Sequence, residues 1–303
     1  MLFRSPAADD GKYVIGICQI EPHPALDAAT KGFKDALIAA LGAENVEFIE
    51  QNAAGDSNTL NSIINDFVAR EVDMILANAT PVLQTAAAAT TTIPILGTSV
   101  TEYGVALGIE NFSGTVGGNI SGTSDLAPLD KQADMISEWF PDAKNIGLLF
   151  CAAEANSKYQ VDEVKKYLEA KSLNVTLYSF SSTSDLAAVA EKAAEESDVI
   201  YVPTDNTVAN STGVVDGICR AKKVPVIAGE EGICAGCGVA TLSISYEELG
   251  KTTGEMAAKI LKGEAKISEM PIQYAGEPTA KYNKEICEDL GLTPPAGYIA
   301  IGE

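Results

Sequence analysis

The second half of this chain restates the first, and that repeat limits the possible folds more than any other feature. Ile15–Leu37 (IGICQIEPHPALDAATKGFKDAL) aligns without a gap on Ile146–Leu168 (IGLLFCAAEANSKYQVDEVKKYL). ENVEFIE at Glu44 then matches LNVTLYS at Leu173, EVDMILANATP at Glu71 matches ESDVIYVPTDN at Glu196, and TIPILGTS at Thr92 matches KVPVIAGE at Lys223. Order and spacing persist although residue identity is weak, which marks duplicated architecture. Within each copy, apolar strand-like runs alternate with helical stripes. Tyr13–Gln19 is a short apolar run. Leu26, Ala29, Phe33, Ala36, Leu37 and Ala40 recur at helical spacing over Ala25–Leu41. Ser57 is expected to open a helix over Asn58–Arg70, and DMILAN at Asp73 reads as a strand. Such alternation gives an α/β fold of two doubly wound parallel sheets, with the copies joined near Ser121–Pro128. The 303 residues suffice for two such domains.

The tail departs from the repeat. Tyr246–Lys262 is amphipathic and closes at Gly263, MPIQYAG at Met270 reads as a strand, and Lys281–Leu290 reads as a short helix ended by Gly291.

Open parallel sheets bind ligands beyond the carboxyl ends of their strands. The candidate residues therefore follow each strand: Ile20–His23 with Glu21, Asn78–Thr80 with Ala79, and Thr98–Tyr103 with Ser99, Val100 and Thr101 in the first copy. In the second copy they are Ala152–Ser157 with Glu154 and Asn156, Pro203–Asn206 with Thr204 and Asp205, and Gly229–Glu231 with Glu230. If the two lobes face each other, these loops line one cleft. Thr80 as N-cap with Pro81 at the first helical position suits an ordinary helix start, and equally a site that attracts a carboxylate. Asp205 is the matching residue in the second copy. It reads either as a cap or as a carboxylate for a ligand ammonium, and the two sites together suit a zwitterionic α-amino acid.

Several function classes lose support. The net charge of −21 repels phosphate backbones, so no nucleic-acid partner is expected. No apolar run is long enough for a transmembrane helix. A single histidine, His23, leaves no basis for a His-rich metal site, and no nucleophile elbow of the G-x-S-x-G type is present. The glycines Gly114, Gly117, Gly118 and Gly122 follow no dinucleotide or P-loop pattern, so no cofactor is expected. The six cysteines are too few for a disulfide scaffold. Cys18 and Cys151 lie in strands as small buried apolar residues. Cys234-x-x-Cys237 stays open between plain thiols, a local disulfide and a metal pair, with no stoichiometric zinc expected. Residues 1–12 are small, polar and aperiodic, a disordered leader or remnant.

Taken together, GICQIEPHPALD, VDMILANATP, NISGTSDLAP, GLLFCAAEANSKYQ, VIYVPTDNTVANS and SISYEELGKTTGEMAAKILKGE resemble the substrate-binding proteins of ABC importers. The resemblance is to the group with members that bind tryptophan, phenylalanine or tyrosine. It spans residue 13 to about 295. Its most specific segments are Glu154-x-Asn156-Ser157, Pro203-x-Asp205-Asn206 and Tyr246–Gly250. The resemblance implies a type I periplasmic-binding-protein fold with a hinge of three crossovers. The lobes would be 13–124 with about 246–266, and 125–245 with about 267–303. It implies an exported monomer, periplasmic or lipid-anchored, that holds an amino acid of the aromatic class and passes it to permease subunits. No catalytic residue is expected. A sensory domain of the same fold and an amino-acid-processing enzyme using Glu154 or Asp205 are the alternatives. Val100–Tyr103 and Ala152-Ala153 depart from the related pattern beside the ligand loops, and both bear on which side chain is accepted.

Overall fold

The computed structural model describes residues 11–302, so the leader expected at 1–12 lies almost wholly outside the described residues. The chain divides into two compact units, and each carries one sheet. The first comprises 11–126 with Ser245–Ala275, and the second Ala127–Ile244 with 276–302, so the chain passes between units three times.

The first unit holds β1 (Tyr13–Gln19), β2 (Val46–Asn52), β3 (Met74–Asn78), β4 (Ile95–Val100) and β5 (Ile120–Ser124). The second holds β6 (Asn145–Cys151), β7 (Asn174–Phe180), β8 (Val199–Val202), β9 (Val226–Ala228) and β10 (Ala240–Ser243). Three short strands follow: β11 (Gln273–Tyr274), β12 (Thr279–Tyr282) and β13 (Ile299–Ala300). The sheet orders are β11-β5-β4-β3-β1-β2 and β13-β12-β10-β9-β8-β6-β7. Stripped of the tail strands, both read 5-4-3-1-2 within their own copy, which is the doubly wound order that the repeat implies. Pairing is parallel throughout except where β12 runs antiparallel to β10. The order reverses between β1 and β3, and between β6 and β8. Crossovers there leave on opposite faces and open a crevice at the strand ends.

The apolar stripes behave as expected. Leu26, Ala29, Phe33 and Leu37 of the helix Pro24–Leu41 are buried, and so are Leu60, Ile63, Ile64 and Phe67 of Ser57–Ala69. The cap of the latter differs from the sequence reading. Asp56, not Ser57, precedes the first turn, and its carboxylate accepts from the Thr59 N–H at 2.7 Å. Carboxylates cap as well as hydroxyls and favour the positive helix end.

The tail helix Tyr246–Leu261 packs along Pro24–Leu41 at backbone distance. A Cβ on Gly250 would come within 1.9 Å of the Ala29 carbonyl oxygen, and one on Gly32 within 2.0 Å of that of Glu247. Only glycines permit this approach. The strand read at Met270 shrinks to Gln273–Tyr274, which pairs with Thr123–Ser124 and keeps the chain with the first unit as far as Ala275. Among the described residues no helix is long and apolar enough to cross a membrane.

Candidate functional site

The second unit builds the denser polar cluster, at the carboxyl ends of β6 and β8. β6 ends at Cys151 and leads through Glu154 into the helix Ala155–Ala170. β8 ends at Val202 and leads through Thr204 and Asp205 into the turn Asn206–Ala209. Glu154 occupies the N-cap position of its helix, yet its carboxylate caps nothing there. It reaches across to the other loop instead. Glu154 Oε1 accepts from the Thr207 N–H (2.9 Å) and hydroxyl (2.8 Å), and Oε2 from the Asn206 N–H (3.0 Å) and Nδ2 (2.6 Å). Asp205 is 1% exposed. Its Oδ1 caps the short turn through the Val208 N–H at 2.9 Å, and its Oδ2 accepts from the Cys151 N–H at 2.7 Å. The cap role read for Asp205 is therefore present, and β6 is tied to it as well. The helical stretch that follows is split into Asn206–Ala209 and Thr212–Lys222.

Two buried carboxylates thus share one loop cluster. Among the described residues Glu154 is the one charged group that acts on Asp205, and no lysine or arginine balances the pair. Burial, and next the negative charge of Glu154, hold the Asp205 carboxyl well above the usual carboxylate range, against the pull of Cys151, Val208 and Ser157 donors. The same environment acts on the Cys151 thiol, which burial and then the two carboxylates push up to about 11.

Asn156 completes the cluster. Its Nδ2 donates to Glu154 Oε2 (3.1 Å), to the Thr204 carbonyl (3.1 Å) and to Ser157 Oγ (3.3 Å). Two of these partners can only accept, so the amide orientation is fixed chemically. Its Oδ1 is buried and has no partner. The cluster is therefore rich in acceptors, carries net negative charge and contains an open acceptor oxygen. Glu230 stands apart from it: it caps the helix Glu231–Cys237 through the Gly232 and Ile233 N–H groups.

The first unit offers a complementary set at the ends of β3 and β4. Asn78 is fully buried and donates to the Leu26 carbonyl and to Thr30 Oγ1. Its Oδ1, Thr80 Oγ1 and Ser99 Oγ are all buried without a partner. Ala79 (φ 101°) and Ser99 (φ 54°) hold left-handed backbone, which non-glycine residues rarely adopt and which clusters at functional sites. Thr80 is not the cap that the sequence suggests. Ala79 occupies that position and Thr80 is already helical, so its hydroxyl makes no capping bond.

Glu21 and His23 are buried beside the start of Pro24–Leu41, with His23 at its N-cap position. Val100 and Thr101 are buried at the end of β4. Tyr103 proves to be a core residue. Its hydroxyl donates to the Thr123 carbonyl at 3.1 Å, and its ring lies where Cβ atoms on Gly97 and Gly122 would stand. All six cysteines, Cys234 and Cys237 among them, are free and buried in the structure. Among the described residues no group of three His, Cys, Asp or Glu is arranged to hold a metal.

One polar neighbour of the cluster has no signature of its own in the sequence. Gln160 bonds both backbone groups of Thr204. It sits four residues after Asn156, one helical turn along the same face, which is the signal that places it here.

The family model described as ABC transporter substrate binding protein matches residues 14–297. A protein of Clostridioides difficile (strain R20291) named Tyrosine-binding protein is 35% identical over 280 residues, 92% of this chain and 81% of that protein. Among solved structures, an ABC domain from Streptococcus pneumonia in complex with L-Trp is 30% identical with a TM-score of 0.90, covering 95% of this chain and 99% of that one. The ligand-free, open structure of a Clostridium difficile substrate binding protein with adhesive properties is 37% identical with a TM-score of 0.72, at the same coverage.

Proposed function

The chain belongs to the ABC transporter substrate-binding proteins, and from that premise we propose that it holds an α-amino acid of the aromatic class outside the cytoplasm and delivers it to a permease. The observation that carries this reading is the Glu154–Asp205 pair. Two buried carboxylates with no cationic side chain beside them among the described residues, and the open Asn156 Oδ1 next to them, form a site that suits a positive charge. Leaving such charge uncompensated costs several kcal/mol. A ligand ammonium supplies the charge and the hydrogen-bond donors together. Glu154 already accepts from five donor groups, so Asp205 and Asn156 are its proposed partners.

In the first unit, the Thr80 and Ser99 hydroxyls suit the carboxylate of the same ligand class, because both are buried and lack partners. Two relatives at 30% identity or above, named for tyrosine or solved with L-Trp, support the aromatic assignment. The role proposed is binding rather than catalysis, since both carboxylates are engaged as acceptors of fold-defining N–H groups. Mass spectrometry of small molecules released from the denatured protein, followed by calorimetric titration with L-tyrosine, L-tryptophan and L-phenylalanine, tests this. One of the three should bind with 1:1 stoichiometry. Failure of all three to bind protein freed of ligand would refute the aromatic assignment, and failure of every common amino acid would refute the ammonium site.

A further inference from the structure

β8 pairs with β6 only as far as Leu148 opposite Tyr201. Beyond that register the backbone of 202–205 has no ladder pairing with β6, although this is the segment that carries Asp205. On its other side the Gly229 N–H donates to the Val202 carbonyl at 2.7 Å, and a Cβ on Gly229 would meet the Thr204 nitrogen at 2.5 Å. Gln160, 2% exposed, supplies side-chain bonds to this segment instead. Its Oε1 accepts from the Thr204 N–H at 3.1 Å, and its Nε2 donates to the Thr204 carbonyl at 3.0 Å and to the Asn156 carbonyl at 3.1 Å.

We propose that Gln160 is a positioning residue that sets ligand selectivity: by clamping both main-chain groups of Thr204 it fixes the peptide leading into Asp205 and so aims that carboxylate at the ligand ammonium. The proposal rests on the ammonium reading above. The clamp needs one donor and one acceptor on the same rigid, buried group, and a primary amide is the side chain that offers both. With both bonds made, the Thr204–Asp205 peptide cannot rotate without breaking buried hydrogen bonds. Asn156 is drawn into the same arrangement, because its Nδ2 also donates to the Thr204 carbonyl. Gln160 therefore aligns both proposed ammonium acceptors and touches no ligand itself.

The test compares wild type with Gln160→Met, which keeps the volume and removes the clamp, and Gln160→Asn, which keeps the amide but cannot reach Thr204. Calorimetric affinities are measured for L-tyrosine and L-tryptophan and for their deaminated 3-arylpropionates, with thermal unfolding as the check on folding. Wild type should prefer the amino acid. Both variants should weaken amino-acid binding by at least about 10-fold and arylpropionate binding by less than about 3-fold, which shrinks the preference. A merely structural role would weaken both ligands together or lower the unfolding transition alone, and an unchanged preference in whichever variant folds overturns the proposal. A wild type with no preference for the ammonium refutes the reading beneath it, which is a separate and visible outcome.

Discussion

The backbone N–H of Cys151 donates to Oδ2 of Asp205 at 2.7 Å, so the last residue of β6 is bonded to the first loop after β8 by a side chain and not by the sheet. That bond lies at the reversal of strand order, where a doubly wound sheet leaves its crevice. It ties down the proposed ammonium acceptor and makes the effect of substituting Asp205 calculable.

Asp205→Asn keeps the shape and removes the charge. One carboxylate oxygen becomes an NH2 group that faces the Cys151 or Val208 N–H, at a cost of about 1–3 kcal/mol. Against this, a buried carboxyl whose ionisation burial and Glu154 both oppose is gone, which offsets part of the loss. The unfolding transition should therefore shift by only a few degrees. Amino-acid affinity should fall by at least about 30-fold, the lower end of what removing one partner of a buried charged pair costs. Calorimetric titration decides it, and near-unchanged affinity would mean that the ammonium is held elsewhere.

The contact between helices Pro24–Leu41 and Tyr246–Leu261 should be the most substitution-sensitive packing in the first unit. An alanine at Gly250 would place its methyl group 1.9 Å from a main-chain oxygen, which cannot give way as a side chain can. Overpacking of this kind typically costs about 1–3 kcal/mol or more. Gly213 is the control, since it is helical and nothing lies within 4 Å of its Cβ position. Gly250→Ala should lower the unfolding transition by roughly 3–10 °C, and Gly213→Ala should leave it unchanged or raise it slightly. Equal melting curves for the two variants would contradict the close helix packing.

Both sheet orders follow from the internal repeat, because duplicated spacing forces duplicated winding. The strand ends were legible for the same reason, and Asn78, Ser99, Glu154, Asn156 and Asp205 are all found there. What escaped reading depends on side chains that cross between loops. Glu154 stands at the start of its own helix, yet it bonds Asn206 and Thr207 of the next loop, which no spacing rule encodes. Gln160 looks like an exposed helical glutamine until its neighbour loop is known. Tyr103 follows a strand and so resembles a ligand contact, but the glycines at 97 and 122 leave a space that its ring fills. Thr80 fails as a cap because the preceding Ala79 takes the left-handed turn itself.

The thiols give a prediction independent of the ligand. Burial raises Cys18 and Cys219 to about 12 and Cys287 to about 11, and it holds Cys234 and Cys237 well above the usual thiol range. Reactivity follows the thiolate, so all six should be inert in the folded protein. A chromogenic disulfide reagent near pH 8 should titrate fewer than one thiol rapidly in the native state and six after denaturation. Elemental analysis should find no stoichiometric zinc. Four titratable thiols after denaturation without reductant would indicate a disulfide, and one zinc per chain would refute the thiol reading.

The pH dependence of stability should carry the mark of the buried carboxyls. Asp205 and Asp125 are both raised, first by burial, with Glu154 adding to the effect on Asp205. An acid with a folded pKa above its unfolded value of about 3.9 contributes stability that is full below that value and is lost as pH rises through the folded one. Asp56 and Asp198 have the opposite sign. N–H donors from Thr59, and from Lys144 and Asn145, lower them, so their contribution is present above the unfolded value and lost as pH falls through their folded values. The comparison that isolates Asp205 is wild type against Asp205→Asn, both free of ligand. Their melting temperatures should diverge as pH rises from about 4, with wild type losing stability relative to the variant until Asp205 is fully ionised. Saturating amino acid should flatten the wild-type loss, because a bound ammonium stabilises the ionised carboxylate. Parallel melting curves across this range, with and without ligand, would show that Asp205 keeps an ordinary carboxyl pKa in the folded protein.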